Sequence, residues 1–194
     1  MVPAALRLIV PLVGLLLLGL LRLGDLDATL ANNGLDLLFR LRGPIQPDQR
    51  IILIGIDEPS LQQHGAWPFP RALHAALLKR LTQARAIGFD FIFAEPTPDD
   101  PQFSAVMANA PPVVLTIARE FSGKVLQPVA SLTHYAGTGH IETMMAGDGI
   151  VRRFLPGAHG SSPAFSQAML HAAGLNPAQA QAAQPQIINF YGPE

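Results

Sequence analysis

Two pairs of adjacent carboxylates, Asp57-Glu58 and Asp99-Asp100, are the side chains in this sequence best suited to chemistry. Hard cations such as magnesium take oxygen ligands, so either pair carries the donor type that supports metal-assisted hydrolysis of a phosphoester. Nothing beside them supplies the rest of such a site. Ser122-Gly123-Lys124 lacks the leading glycine and the following hydroxyl of a phosphate-binding loop, and Gly137-Thr138-Gly139 lacks the third glycine of a dinucleotide loop; both read as turns. The histidines at 64, 74, 134, 140, 159 and 171 contain no i, i+4 pair of the kind that holds zinc on a helix. His140-Ile141-Glu142 matches the first half of a deaminase signature, but the chain has no cysteine to complete it. No Gly-x-Ser-x-Gly elbow occurs. Without an assembled nucleophile and base, the residues point away from an enzyme, and no metal or cofactor is expected.

The elements that must position these side chains come from 194 residues, 49% hydrophobic and 14% charged, enough for one globular core and a membrane-directed segment. A net charge of -1 gives no basic field for a phosphate backbone, so nucleic acid is excluded as a partner. The absence of cysteine excludes disulfides and thiolate chemistry and is compatible with either side of a membrane.

Leu8 to Leu21 is an uninterrupted apolar run, and extending it from Ala4 to Leu23 takes in Arg7 and Arg22 near its ends. With both arginines snorkelling, the stretch reaches the roughly 20 residues that span a bilayer. A signal peptide is the competing reading, but the nearest small-residue pair, Thr29-x-Ala31, lies well past the apolar stretch. We therefore expect an uncleaved transmembrane anchor over residues 1–24, a juxtamembrane helix and linker over 25–44, and a folded domain over 45–194. Charge bias does not orient the anchor, because Arg22, Arg40 and Arg42 follow it while only Arg7 and the terminal amine precede it.

Leu26 to Leu41 has a rough helical period with a break at Asn32-Asn33-Gly34, and Gly43-Pro44 ends it. Ile51 to Ile56 reads as a strand buried on both faces, Pro70 to Ala84 as an amphipathic helix with proline in its first turn, and Ile87 to Phe93 as a second buried strand. Together they predict a βαβ unit. Further along, the pattern predicts a short helix over 101–109, a strand over 113–117, and a meander of 139–143 and 150–155 around Gly147-Asp148-Gly149. A helix over 164–173 ending at Gly174 and a last strand over 187–191 complete it. The expected fold class is mixed α/β, with a partly parallel sheet built on the βαβ unit and one transmembrane helix before it.

In such a unit the helix begins where the first strand ends, and the second strand returns to the same edge. Asp57, Glu58, Trp67, Arg71 and Glu95 are therefore expected at the carboxyl ends of the strands, the usual ligand side of an open α/β sheet, with Asp90 deeper in the second strand. These residues form the candidate ligand site. The competing reading is that the acids cap, close turns and pair with Arg71 to hold the fold, and that Trp67 covers the core; buried charges are normally paired whatever their function.

The order Asp57-Glu58-x-Ser60-Leu61, then Trp67-Pro68-Phe69-Pro70-Arg71, then Gly88-Phe89-Asp90-Phe91-Ile92-Phe93-Ala94-Glu95-Pro96, resembles the second type of the CHASE family, bacterial extracytoplasmic sensing domains associated with cyclases and histidine kinases. The lead-in Asp36-Leu-Leu-Phe-Arg-Leu-Arg42, the turn Asp148-Gly-Ile-Val-Arg-Arg153, Ser162-Pro-Ala-Phe-Ser166 and Ile188-Asn-Phe-Tyr-Gly-Pro193 are also similar, in the same order. Phe69 stands where the family usually has a second tryptophan, and Ala146-Gly147 replaces a more acidic approach to Asp148.

The resemblance implies a signal-input domain outside the inner membrane of a bacterium, held by its N-terminal helix and responding to a small-molecule or protein signal. It implies further sheet after the Tyr191-Gly192-Pro193 strand, so that the domain here is truncated at its C-terminus. Membrane helices and a cyclase or kinase output would follow. A homodimer is a further expectation for a receptor. The alternatives are a magnesium-dependent periplasmic hydrolase using Asp57, Glu58 and Asp90, and a structural module whose sheet edge recruits a partner protein.

Overall fold

The structure, a computed structural model, describes residues 11–14, 16, 19, 26–120, 122–156, 162–175 and 184–192. The chain divides into two compact units, one of residues 1–53 with 189–194 and one of residues 54–188.

In the first unit, α1 (Leu26–Arg42) places Asp27 in its first turn and Arg40 and Arg42 in its last, which complements the helix dipole. The break expected at Asn32-Asn33-Gly34 does not occur. One glycine and two asparagines cost a helix only about 1 kcal/mol each or less, too little to stop it mid-run. Gly43, at φ 75°, ends it. Arg42 then donates to the Asn189 side chain and the Phe190 carbonyl, Phe39 meets Phe190 edge to face at 5.8 Å, and the Ile45 N–H donates to the Tyr191 carbonyl at 2.7 Å. Among the described residues no helix is long and apolar enough to cross a membrane. Most of the expected anchor, 1–24, lies outside those residues.

The second unit is mixed α/β with a partly parallel sheet. Its helices before the sheet are α2 (Glu58–His64) and α3 (Arg71–Leu78). The sheet is then built by β1 (Ile87–Phe89), α4 (Asp100–Met107), β2 (Val113–Arg119), β3 (Val125–Leu126), α5 (Ala130–Thr133) and β4 (Ala136–His140). β2 is central, parallel to β1 with Ile87 opposite Val113, and parallel to β4 with Val113 opposite Ala136; β3 pairs antiparallel with its far end. A three-stranded antiparallel sheet of β5 (Thr143–Met145), β6 (Val151–Phe154) and β7 (Gln186–Ile187) follows. The helix α6 (Phe165–Ala172) lies between β6 and β7 in sequence.

Alternation along β2 sorts the layers. Val113 and Leu115 join Ile87 and Phe89 in a core with Ala75 and Leu78 of α3, Phe103 and Met107 of α4 and Leu132 of α5. The opposite face carries α6. A Cβ on Gly88 would stand 2.6 Å from the Phe165 ring, and one on Gly139 only 2.5 Å from the Phe165 Cα. Gly139→Ala therefore has to displace backbone, and we expect it to cost about 1–3 kcal/mol. An unchanged urea midpoint would contradict this packing of α6.

Several expectations are corrected. Ile51–Ile56 is not a buried strand: it lies outside every strand, with Ile52 81% and Leu53 91% exposed. Its composition suits a buried strand, but a strand also needs a hydrogen-bonding neighbour, and β1 pairs instead with β2. The parallel βαβ units are thus 87–119 and 113–140 rather than 51–93. Gly137-Thr138-Gly139 is not a turn but the middle of β4, where small residues admit α6. β4 consequently joins the first sheet, and only β5 and β6 form the expected meander. The last strand is two residues long, Gln186–Ile187.

Candidate functional site

The chain enters α3 through Pro70, and Arg71 at its first position is buried. Arg71 donates from Nε to Asp100 Oδ1 at 2.9 Å and from Nη2 to the Glu95 carbonyl at 2.9 Å, and its guanidinium lies 4.4 Å over the Phe93 ring. Asp100, also buried, opens α4. Its Oδ2 accepts from the Thr97 N–H at 2.9 Å and its Oδ1 from the Thr97 hydroxyl at 2.8 Å. Burial pushes the Asp100 carboxyl up, but the Thr97 N–H, the Arg71 guanidinium and the Thr97 hydroxyl outweigh it and hold the group below its usual value. The start of α3 is thereby clamped to the loop between β1 and α4.

An aromatic cluster adjoins this clamp. Trp67, 43% exposed, meets Phe91 at 4.8 Å and Phe69 at 5.5 Å, both edge to face. His74 lies beneath, within 5.1 to 6.2 Å of the Phe89, Phe91, Phe93 and Phe103 rings and 6.1 Å from Trp67. Burial, aided by the Arg71 charge, pushes its pKa down to about 4.

Of the residues expected to converge, Arg71 meets Glu95, through the Glu95 backbone only, and Trp67 packs on the ring that follows Asp90 by one residue. Asp57 instead caps α2, accepting from the Ser60 hydroxyl at 2.6 Å and the Ser60 N–H at 3.0 Å, which hold its carboxyl below the usual value. Glu58 and the Glu95 carboxylate are exposed. Asp90 is corrected from an inner position to an exposed one, because β1 already ends at Phe89. Among the described residues no group of three or more histidines and acids is placed to hold a metal ion. Asp100 has both oxygens engaged by Arg71 and Thr97.

A cavity of about 410 Å³ opens at the other end of the sheet, between the amino ends of β2 and β4 and one face of α6. Val113, Val114, Gly137, Thr138, Gln167 and His171 are among its walls.

A family model, the CHASE2 domain, matches residues 12–192. The chain belongs to the CHASE2 family. CHASE2 domains are extracytoplasmic sensory domains and are not themselves catalytic. No curated protein and no solved structure matches the chain.

Sequence reasoning about this CHASE2 domain missed the partner of Arg71, weighing Asp100 only as half of a metal pair. The signal was present: Thr97 three residues before Asp100 is the spacing at which a hydroxyl and an acid close a helix start. His74 was passed over because a lone histidine carries no motif. The cavity could not have been found, because its walls come from three separate elements.

Proposed function

We propose that this CHASE2 domain is the signal-input part of a bacterial transmembrane receptor, anchored by residues 1–24, with the domain over 45–194 on the extracytoplasmic side and a cyclase or kinase output in the same polypeptide. Family membership over nearly the whole chain supports the sensory reading. The signal, a small molecule or a protein, is received at the edge that carries Trp67, flanked by Asp57, Glu58, Asp90 and Glu95, with Arg71 holding the edge in place.

The observation that carries this assignment is the half-exposed Trp67 seated on a buried aromatic cluster that continues through Phe93 to the Arg71 guanidinium. A group that covers Trp67 acts on rings in contact with the clamp between α3 and the loop before α4. To transmit anything, it must bind two arrangements of that clamp with different affinity.

Fusing alkaline phosphatase after residue 194 is expected to give an active phosphatase in a bacterial host, and a green fluorescent protein fusion at the same point is expected to stay dark. The reverse pattern would sink the extracytoplasmic placement. Loss of signal-dependent output on Trp67→Ala, in a receptor that is still folded, tests the edge.

A further inference from the structure

Hydrogen-bonding groups at the two ends of the sheet are used differently. Around Trp67, Arg71, Asp100 and Thr97 satisfy one another or nearby backbone. Around the cavity at the amino ends of β2 and β4, the side-chain polar atoms of Tyr135, Thr138, Gln167 and His171 bond to no other described residue. We infer that this cavity is a second binding site, for an uncharged, planar small molecule bearing hydrogen-bond donors and acceptors.

Size, shape and charge each argue for that class. The volume, about 410 Å³, falls in the range of roughly 300–1,000 Å³ typical of small-molecule sites. Pro112 and Pro163 contribute apolar ring surface to the walls and Tyr135 a flat aromatic one, and no aspartate, glutamate, lysine or arginine is among the described lining residues. A charged ligand would lose its hydration with no carboxylate, ammonium or guanidinium to pair with, and only the His171 imidazole beside it. An uncharged ring keeps its apolar faces on Val113, Val114 and Ala168, while the four free polar groups satisfy its edge.

The glycines of the sheet face under α6 point the same way. Gly88 and Gly139 leave no room for a Cβ, because Phe165 and its helix stand against them. Gly137 shares their face, yet a Cβ there would meet only Val113 O and Val114 Cγ2, both at 3.7 Å, an ordinary contact. Packing of the protein does not require glycine at 137. The space beside it is the cavity.

The test uses the full chain in lipid nanodiscs and two probes of the same outline, 4-hydroxybenzamide and its charged counterpart 4-hydroxybenzoate, followed by saturation-transfer NMR titration at neutral pH. The amide is expected to bind, and the carboxylate to bind roughly tenfold more weakly or not at all. Gly137→Leu fills the cavity and abolishes amide binding while leaving the thermal midpoint unchanged or raised, since leucine suits a strand better than glycine. Gln167→Ala, at a half-buried position on the cavity wall, weakens binding about tenfold by removing one hydrogen-bonding partner. Trp67→Ala, at the far edge, leaves it unchanged. No binding of the amide, equal binding of the two probes, or full binding to folded Gly137→Leu would overturn the site. Loss of binding in Trp67→Ala would put the probe at the opposite edge and overturn it as well. None of these outcomes depends on the receptor's output, so the signal-input assignment stands or falls separately.

Discussion

Arg71→Ala lowers the unfolding free energy of this CHASE2 domain by about 3–5 kcal/mol, the cost of breaking a buried ion pair from one side. The magnitude follows from what is left behind. Asp100 stays buried with only Thr97 to satisfy it, the Glu95 carbonyl loses its donor, and Phe93 loses the cation above its ring. The charge, rather than the lost volume, is expected to dominate. Adding Asp100→Asn to Arg71→Ala should therefore restore part of the loss, because a neutral amide needs no counter-charge and its oxygen still accepts from Thr97. Urea unfolding of the four proteins of this double-mutant cycle decides the matter. If the two substitutions simply add, the ion pair is not what holds the loop. The pH dependence has a definite sign. Asp100 has a folded pKa below its unfolded one, so its contribution is full above pH 3.8 and fades as pH falls below that value. Arg71→Ala weakens that fading, leaving the part due to the Thr97 N–H and hydroxyl.

How much of this was legible depends on whether a feature is local. Val113 to Ile117 is an apolar run with β-branched residues and is a strand; Phe165 to Ala172 has a helical period and a glycine at φ 70° beyond it and is a helix. Which strands pair is another matter. Ile51–Ile56 carries as strong a strand signal as Val113–Ile117, yet it stands exposed, because nothing within six residues specifies a neighbour. Gly137 and Gly139 carry a weak strand signal yet sit in β4, and the requirement that Gly139 meets, room for Phe165, comes from a helix far along the chain. The candidate site divides the same way. Trp67 and Arg71 were recognisable as an edge of the fold, but the sequence pointed to Asp90 as the carboxylate for Arg71 and to Asp99-Asp100 only as a metal pair, whereas Arg71 pairs with Asp100. The start of α4 makes the difference, by turning Asp100 inward while Asp90 and Asp99 stay exposed.

That division bears on how such a domain passes a signal. The residues that make up the family pattern around Trp67-Pro68-Phe69-Pro70-Arg71 are mostly engaged with each other. Their arrangement is suited to switching between two packed states rather than to gripping a ligand tightly, since a clamp of one buried ion pair and several ring contacts has little intermediate geometry. The ionisable group at the centre of that packing is His74.

Lowering the pH from 6.5 to 4 is expected to destabilise the domain by about 3 kcal/mol through His74 alone. The imidazole ordinarily titrates at 6.5; burial among phenylalanine rings, with the Arg71 cation nearby, brings it down to about 4 in the folded chain. Above pH 6.5 both folded and unfolded chains hold it neutral and stability does not change on its account. Between 6.5 and 4 the unfolded chain takes up a proton that the folded chain refuses, so stability falls as pH falls. The window lies above that of Asp100, which acts only below its unfolded value of 3.8. Two measurements separate His74 from the rest. His74→Phe, which extends the surrounding ring cluster, should flatten the stability profile between pH 6.5 and 4 while leaving the decline below 4 in place. Trp67 is the only tryptophan in the chain and its ring lies 6.1 Å from His74, so its fluorescence reports on this cluster and should change with acid loosening of the wild-type domain in that window. A stability profile of His74→Phe that keeps the full slope between 6.5 and 4 would mean that the proton is taken up elsewhere, and that His74 is not the group that couples this packed edge to pH.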